Sequence, residues 1–162
     1  MQEVLLDYGD SKMRVELPES AVVVRYGKTY TDPPEVDPVE ATRKALEKPL
    51  GFPPLRELGG PNKKIVIGFP DRVKGGVHAK CHRKVAIPMV IEELLKGGTK
   101  IENIKLLCAA GLHRKNTLED WYSYLGKETV ERFWPERLFN HDAETDLLNY
   151  GTDEMGNVVQ CS

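Results

Sequence analysis

A chain of 162 residues with 40% hydrophobic and 30% charged residues has the make-up of a globular domain that can bury one sizeable core. Its formal net charge of −2 gives no electrostatic reason to bind nucleic acid or an anionic membrane surface. No apolar run approaches the roughly 20 residues of a membrane span, and Met1-Gln2-Glu3-Val4-Leu5-Leu6-Asp7 lacks the basic and apolar stretches of a secretory signal.

Residues 1–30 read as a small β element. Gly9-Asp10-Ser11 is a turn between strands over 3–7 and 12–17, the second alternating Met13, Val15 and Leu17 against Arg14 and Glu16. A further extended segment follows Pro18-Glu19-Ser20 over 21–25, and residues 30–36 are Pro-rich and irregular. Asp37-Pro38-Val39-Glu40 starts a helix: Asp37 caps, Pro38 takes the first helical position and Glu40 has capping-box spacing. That helix runs to about Glu47, because Pro49 cannot continue it. Residues 53–60 form one helical turn and a stop.

From residue 63 strands alternate with helices. A strand over 64–69 precedes a charged loop over 70–80 and a helix over 85–96 that Gly97-Gly98 closes. A strand over 104–109 follows, then a loop, then a helix over 118–125 capped within Asn116-Thr117-Leu118-Glu119. A helical turn over 128–133, a strand over 137–140 ending in His141-Asp142, and a strand pair around Asp153–Asn157 complete the chain. The expected fold is α/β: a small N-terminal β element, then a Rossmann-like, largely parallel sheet with flanking helices over 63–162. The abrupt stop at Gln160-Cys161-Ser162 reads as the first part of a longer protein.

Charged groups gather at the strand ends, where open α/β sheets bind ligands. Ala109-Ala110-Gly111-Leu112-His113-Arg114 presents an imidazole that can move protons near neutral pH and a guanidinium that can hold an anion. One strand earlier, Asp71-Arg72-Val73-Lys74-Gly75-Gly76 combines glycines, which let backbone N–H groups approach an anion, with basic side chains. It is neither a Walker A loop nor a dinucleotide fingerprint. Asn140-His141-Asp142 adds a second His, with Asp142 either orienting it or capping a turn. His78 and His82 are four apart, but Gly75-Gly76 places His78 ahead of the helix, so no metal-binding His face is expected. Cys81, Cys108 and Cys161 have no CxxC spacing and read as reduced thiols of a cytoplasmic protein. Glu92-Glu93 reads as a solvated face, and Trp121, Tyr122, Tyr124, Phe133 and Trp134 as packing.

These residues together resemble the N-terminal half of the lactate racemase family that uses a nickel-pincer nucleotide. In that family one strand ends in Asp-x-x-Arg-Pro and the next in Thr-Gly-x-His-Arg with a Thr shortly after. The matching positions are Asp71-Arg72-Val73-Lys74 and Ala110-Gly111-Leu112-His113-Arg114, with Thr117. A downstream His-Asp…Gly-x-Thr-x-x-Gly segment is similar to His141-Asp142…Gly151-Thr152 and Gly156. The resemblance implies a 2-hydroxy-acid racemase or epimerase in which His113 is one of two catalytic histidines. Asp71, Arg72, Lys74, Gly75, Gly76 and Arg114 would face the cofactor or the substrate anion. It implies a nickel-pincer nucleotide in the full-length protein, with no tight binding to these 162 residues alone, which are expected to be inactive. The remaining C-terminal part of the same protein would be a partner, and without it an apolar face could drive dimerisation.

Two departures stand out. Lys74 replaces the family's Arg, and Gly75-Gly76 replaces the Pro. Lys is a point charge where Arg is a fork, so the implied substrate is a 2-hydroxy acid, either lactate or a larger or differently charged one. The other reading open to the residues is a non-enzymatic nucleotide- or anion-binding domain built on Arg72, Lys74 and Arg114.

Overall fold

The computed structural model describes residues 1–25, 27–145 and 147–161. The chain divides into two compact units, Met1–Glu35 and Val36–Ser162.

In the first unit, β1 (Gln2–Tyr8) and β2 (Ser11–Leu17) pair antiparallel from Gln2↔Leu17 to Tyr8↔Ser11. Gly9 takes the turn at φ 58°, a conformation that favours glycine. Arg14 grips the Glu3 carboxylate across the strands with N–O distances of 2.7 and 2.8 Å, an exposed pair of small energetic weight. Residues 21–25, expected to be extended, do not join the sheet. Thr29 takes two of their backbone groups: its Oγ1 accepts from Arg25 N at 2.7 Å and donates to Val23 O at 2.9 Å. A side chain four to six residues away thus replaces the ladder partner.

The second unit opens with α1 (Pro38–Glu47), where Asp37 accepts from Val39 N at 2.9 Å and from Glu40 N at 3.5 Å. Glu40 does not close a reciprocal box. Its carboxylate turns to Arg43 and Lys44, one turn ahead on the same face. α2 (Leu55–Leu58) packs on α3 (His82–Lys96) through a backbone approach so close that a Cβ on Gly97 would lie 2.0 Å from Arg56 O. Arg56 and Lys96 there share the buried Glu93 carboxylate at 2.9 and 2.8 Å. The expectation of a solvated pair therefore holds only for Glu92, which stays exposed and meets Arg132 at 2.8 Å.

The sheet is parallel, in the order β3 (Ile65–Pro70), β4 (Ile104–Ala109), β5 (Leu138–Asn140). A 3-10 turn, Ile101–Asn103, leads into β4. α3 makes the first crossover; α4 (Leu118–Leu125) and α5 (Lys127–Phe133) make the second. β4 shows the strand period of two directly: Ile104, Leu106 and Cys108 are fully buried while Lys105 and Ala109 are exposed. Those inward residues meet Phe69, Ile87, Ile91, Leu94, Trp121, Tyr124, Val130, Phe133 and Leu138 in one core. Burying a side chain such as Leu106 there contributes about 1.5–3 kcal/mol. Tyr122 and Trp134, grouped with the packing aromatics by sequence, are instead 38% and 44% exposed.

α3 begins three residues before the sequence suggested, so Pro88 falls inside it and cannot donate to the Lys84 carbonyl. β6 (Leu148–Thr152) and β7 (Val158–Cys161) form the expected terminal hairpin. Asp153 Oδ1 accepts from Met155 N and Asn157 N at 2.9 and 2.8 Å in its turn. Among the described residues, no helix is long and apolar enough to cross a membrane.

Candidate active site

Pro70 and Ala109 are register partners at the last paired positions of β3 and β4, so the loops that follow both strands leave the sheet side by side. Asp71 is the first residue past β3 and is 5% exposed; its Oδ1 accepts from Val73 N at 3.1 Å, which turns the chain. Its other oxygen, Oδ2, lies 2.6 Å from Nδ1 of His113, the fourth residue past β4. An ionised carboxylate only accepts, so in the neutral ring this contact takes the proton on Nδ1 and leaves the lone pair on Nε2. The His113 side chain is 51% exposed. A buried carboxylate orienting a half-exposed imidazole is the geometry of a general base.

Arg114 and Arg72 meet on Asp120. Arg114 binds it through Nη1 to Oδ2 at 2.7 Å and Nη2 to Oδ1 at 3.0 Å, and Arg72 Nη1 reaches Oδ1 at 3.3 Å. Asp120 also closes a capping box on α4: Thr117 N and Oγ1 donate to its Oδ2 at 2.9 and 3.1 Å. The fork of Arg114 and the Thr117 amide hold the Asp120 carboxyl well below the usual carboxylate range. Arg72, Arg114, Thr117, Glu119, Asp120 and Ser123 line a hollow of about 410 Å3. The expected cap range, Asn116–Glu119, contains the N-cap Thr117 but not Asp120, although Thr117-x-x-Asp120 has capping-box spacing.

The loop after β3 is exposed from Arg72 to Lys80. Lys74 is one of its exposed cations, and none of the described residues pairs with its ammonium. Gly75 and Gly76 hold φ of 83° and 66°, and a Cβ on Gly75 would sit 2.9 Å from His82 Nδ1. Under the turn lies Arg83, fully buried, donating from Nη1 to Lys74 O and from Nη2 to Gly76 O. Nothing in the sequence marks Arg83, which stands between His82 and Lys84 in a basic stretch. Burial and the neighbouring Arg83 push the His82 imidazole down.

The loop after β4 is anchored from the other side. Asn116 N and Nδ2 donate to Asn140 Oδ1 at 2.9 and 2.8 Å, and Asn140 Nδ2 returns to Asn116 O at 2.9 Å. Tyr124 Oη donates to Asn116 Oδ1 at 2.9 Å. Asp142 caps a turn, accepting from Glu144 N at 3.0 Å, and pairs with Lys115. Lys115 and the Glu144 amide hold its carboxyl well below the ordinary range. His141 N donates to Cys108 O at 2.9 Å. Among the described residues, no three His, Cys, Asp or Glu side chains converge as a metal-holding group.

The lactate racemase of Thermoanaerobacterium thermosaccharolyticum is 27% identical to this chain over 144 residues, covering 88% of the chain and 32% of that protein. The solved structure of the lactate racemase apoprotein from the same organism superposes with a TM-score of 0.60 at 23% identity, over 98% of this chain and 35% of that one. The chain therefore spans about a third of the length of the relative it matches. The family model for the lactate racemase N-terminal domain covers residues 8–162, which includes both strand-end loops and the Asp71–His113 pair. The chain belongs to the lactate racemase N-terminal domain family.

Proposed function

We propose that this domain supplies one acid/base face of a 2-hydroxy-acid racemase or epimerase, with His113 as the proton-transferring group. The observation that carries the reading is the 2.6 Å contact of His113 Nδ1 with the buried Asp71 carboxylate at the ends of neighbouring parallel strands. Asp71 fixes the ring so that Nε2 takes the substrate hydroxyl proton, and stabilises the imidazolium that forms. A second histidine, on the opposite face, gives a proton to the carbonyl oxygen when the carbon regains its hydrogen, and His113 gives it when the opposite enantiomer is the substrate. Lys74, exposed on the same strand-end loop as Asp71, holds the substrate carboxylate as a point charge.

The family's nickel-pincer nucleotide, when bound, supplies the hydride acceptor that removes and returns the α-hydrogen. The residues present suit its anionic portion. Arg72 and Arg114 keep N–H groups beyond those spent on Asp120, five being available to each guanidinium, and Lys74 and the Gly75-Gly76 turn flank them. Nickel ligands would come from outside the described residues. The non-enzymatic anion-binding reading is weaker, because it leaves the Asp71–His113 pair without a role.

The test uses the full-length, cofactor-loaded protein and a panel of single-enantiomer 2-hydroxy acids, with products separated by chiral chromatography. Appearance of the opposite enantiomer, lost in His113→Ala, supports the reading. Inversion of no acid by a protein with confirmed cofactor loading refutes it.

A further inference from the structure

Arg83 is 0% exposed and has no carboxylate partner among the described residues. A buried cation with no counter-ion is an unfavourable arrangement unless its N–H groups are spent well. Nη1 and Nη2 donate to two carbonyls of one turn, Lys74 O and Gly76 O, Nη1 also lies 3.3 Å from His82 Nε2, and Nε has no partner among the described residues. The guanidinium rests 4.8 Å from the ring centroid of Tyr124. Tyr124 in turn holds Asn116 at 2.9 Å, in the loop that carries His113. One buried unit thus supports both strand-end loops, the turn of Lys74 from Arg83 and the loop of His113 from Tyr124. Only a planar fork spans two carbonyls at once while stacking on a ring; a lysine in its place offers one point charge.

We propose that Arg83 is a positioning residue, clamping the Lys74–Gly76 turn from beneath and so setting where the Lys74 ammonium stands for the substrate carboxylate. This rests on the assignment of Lys74 to that carboxylate. His82 completes the clamp from the side, its ring filling the space that a Cβ on Gly75 would enter. Neither the Arg83 nor the His82 side chain hydrogen-bonds to the His113 ring or the Asp71 carboxylate, so the clamp acts first on binding rather than on proton transfer.

The experiment compares Arg83→Lys with the unaltered full-length, cofactor-loaded protein by two readouts. In racemisation kinetics the expected result is a KM raised about tenfold with kcat within about threefold, the signature of lost substrate binding. In a Lys74→Ala background, Arg83→Lys should add no further rise in KM, because its effect passes through Lys74. In amide hydrogen exchange, Lys74 N and Gly76 N, which donate to Asp71 O and Arg72 O at 3.2 and 3.1 Å, should exchange faster while β4 amides keep their rates. An unchanged KM, a fall in kcat alone, or exchange raised equally across the sheet overturns the proposal. Should Arg83→Lys fail to fold, His82→Ala, at an exposed position, replaces it. A smaller rise in KM with faster Lys74–Gly76 exchange supports the clamp, and no change in either overturns it. If the unaltered protein inverts no acid, the racemase reading fails by itself. Exchange at Lys74 and Gly76 then upholds or overturns the clamp separately.

Discussion

His113 Nδ1 and Asp71 Oδ2 stand 2.6 Å apart although 42 residues separate them in the chain. The parallel register of β3 and β4 creates this contact, bringing an acidic residue just past one strand beside a histidine just past the next. Asp71→Asn preserves the shape but replaces the carboxylate with an amide that can donate to Nδ1 and favour the wrong tautomer. We expect it to lower kcat of the full-length protein by about 10²- to 10⁴-fold with a much smaller change in KM. Initial rates of inversion measured by polarimetry check this, and a kcat within twofold of the unaltered protein removes Asp71 from the mechanism.

Asp120 joins the α4 cap to Arg72 and Arg114. Asp120→Asn is expected to cost about 1–2 kcal/mol near neutral pH, from the cap and the charge-assisted bonds. Because its folded-state pKa lies below that of an unfolded aspartate, the contribution is complete above about pH 4 and fades as pH falls further. Urea midpoints should therefore differ at pH 7 and converge toward pH 2–3. A gap that persists undiminished at low pH contradicts the charged role.

His82 behaves in the opposite sense to a histidine with an anionic partner. Burial first, and Arg83 second, disfavour its protonated form in the folded state. As pH falls below about 6.5 the unfolded chain takes up the proton more readily, and stability declines. His82→Gln should flatten the fall in stability between pH 7.5 and 5.5. Identical slopes in variant and parent count against the assignment, as does an NMR titration midpoint at or above that of a free histidine.

The three thiols should separate by access. Cys108 is 0% exposed and burial pushes its thiol up, Cys81 is 2% exposed, and Cys161 lies on the exposed terminal strand. A thiol reagent under native conditions should label Cys161 first, with Cys81 and Cys108 slower by a factor on the order of 10² because they wait on opening. Comparable rates at all three would mean that the β4–α4 core opens far more readily than its packing implies.

Much of this molecule was legible one element at a time. Asp37 and Pro38 announce α1 through interactions that span three residues. The alternation of Ile104, Leu106 and Cys108 announces a strand with one buried face. Gly9 and the turn around Asp153 mark the two hairpins. The expectation failed where a local rule had a competitor of similar strength. Thr29 drew the polar groups of Val23 and Arg25 away from a strand, Glu40 preferred Arg43 and Lys44 to a backbone amide, and Glu93 was buried because Arg56 and Lys96 both reached it.

Element order, helix starts and the placing of His113, Asp71 and Lys74 at strand ends belong to the chain's own pattern, since caps, glycines and hydrophobic periods act over a few residues. The pairing of Asp71 with His113, the meeting of Arg72 with Asp120 across 48 residues, and the lodging of Arg83 under the Lys74–Gly76 turn do not. Each needs the register of a parallel sheet and the seating of α3 and α4 on its core. Those depend on which buried faces fit together, a property of the packed chain that no short window of residues carries.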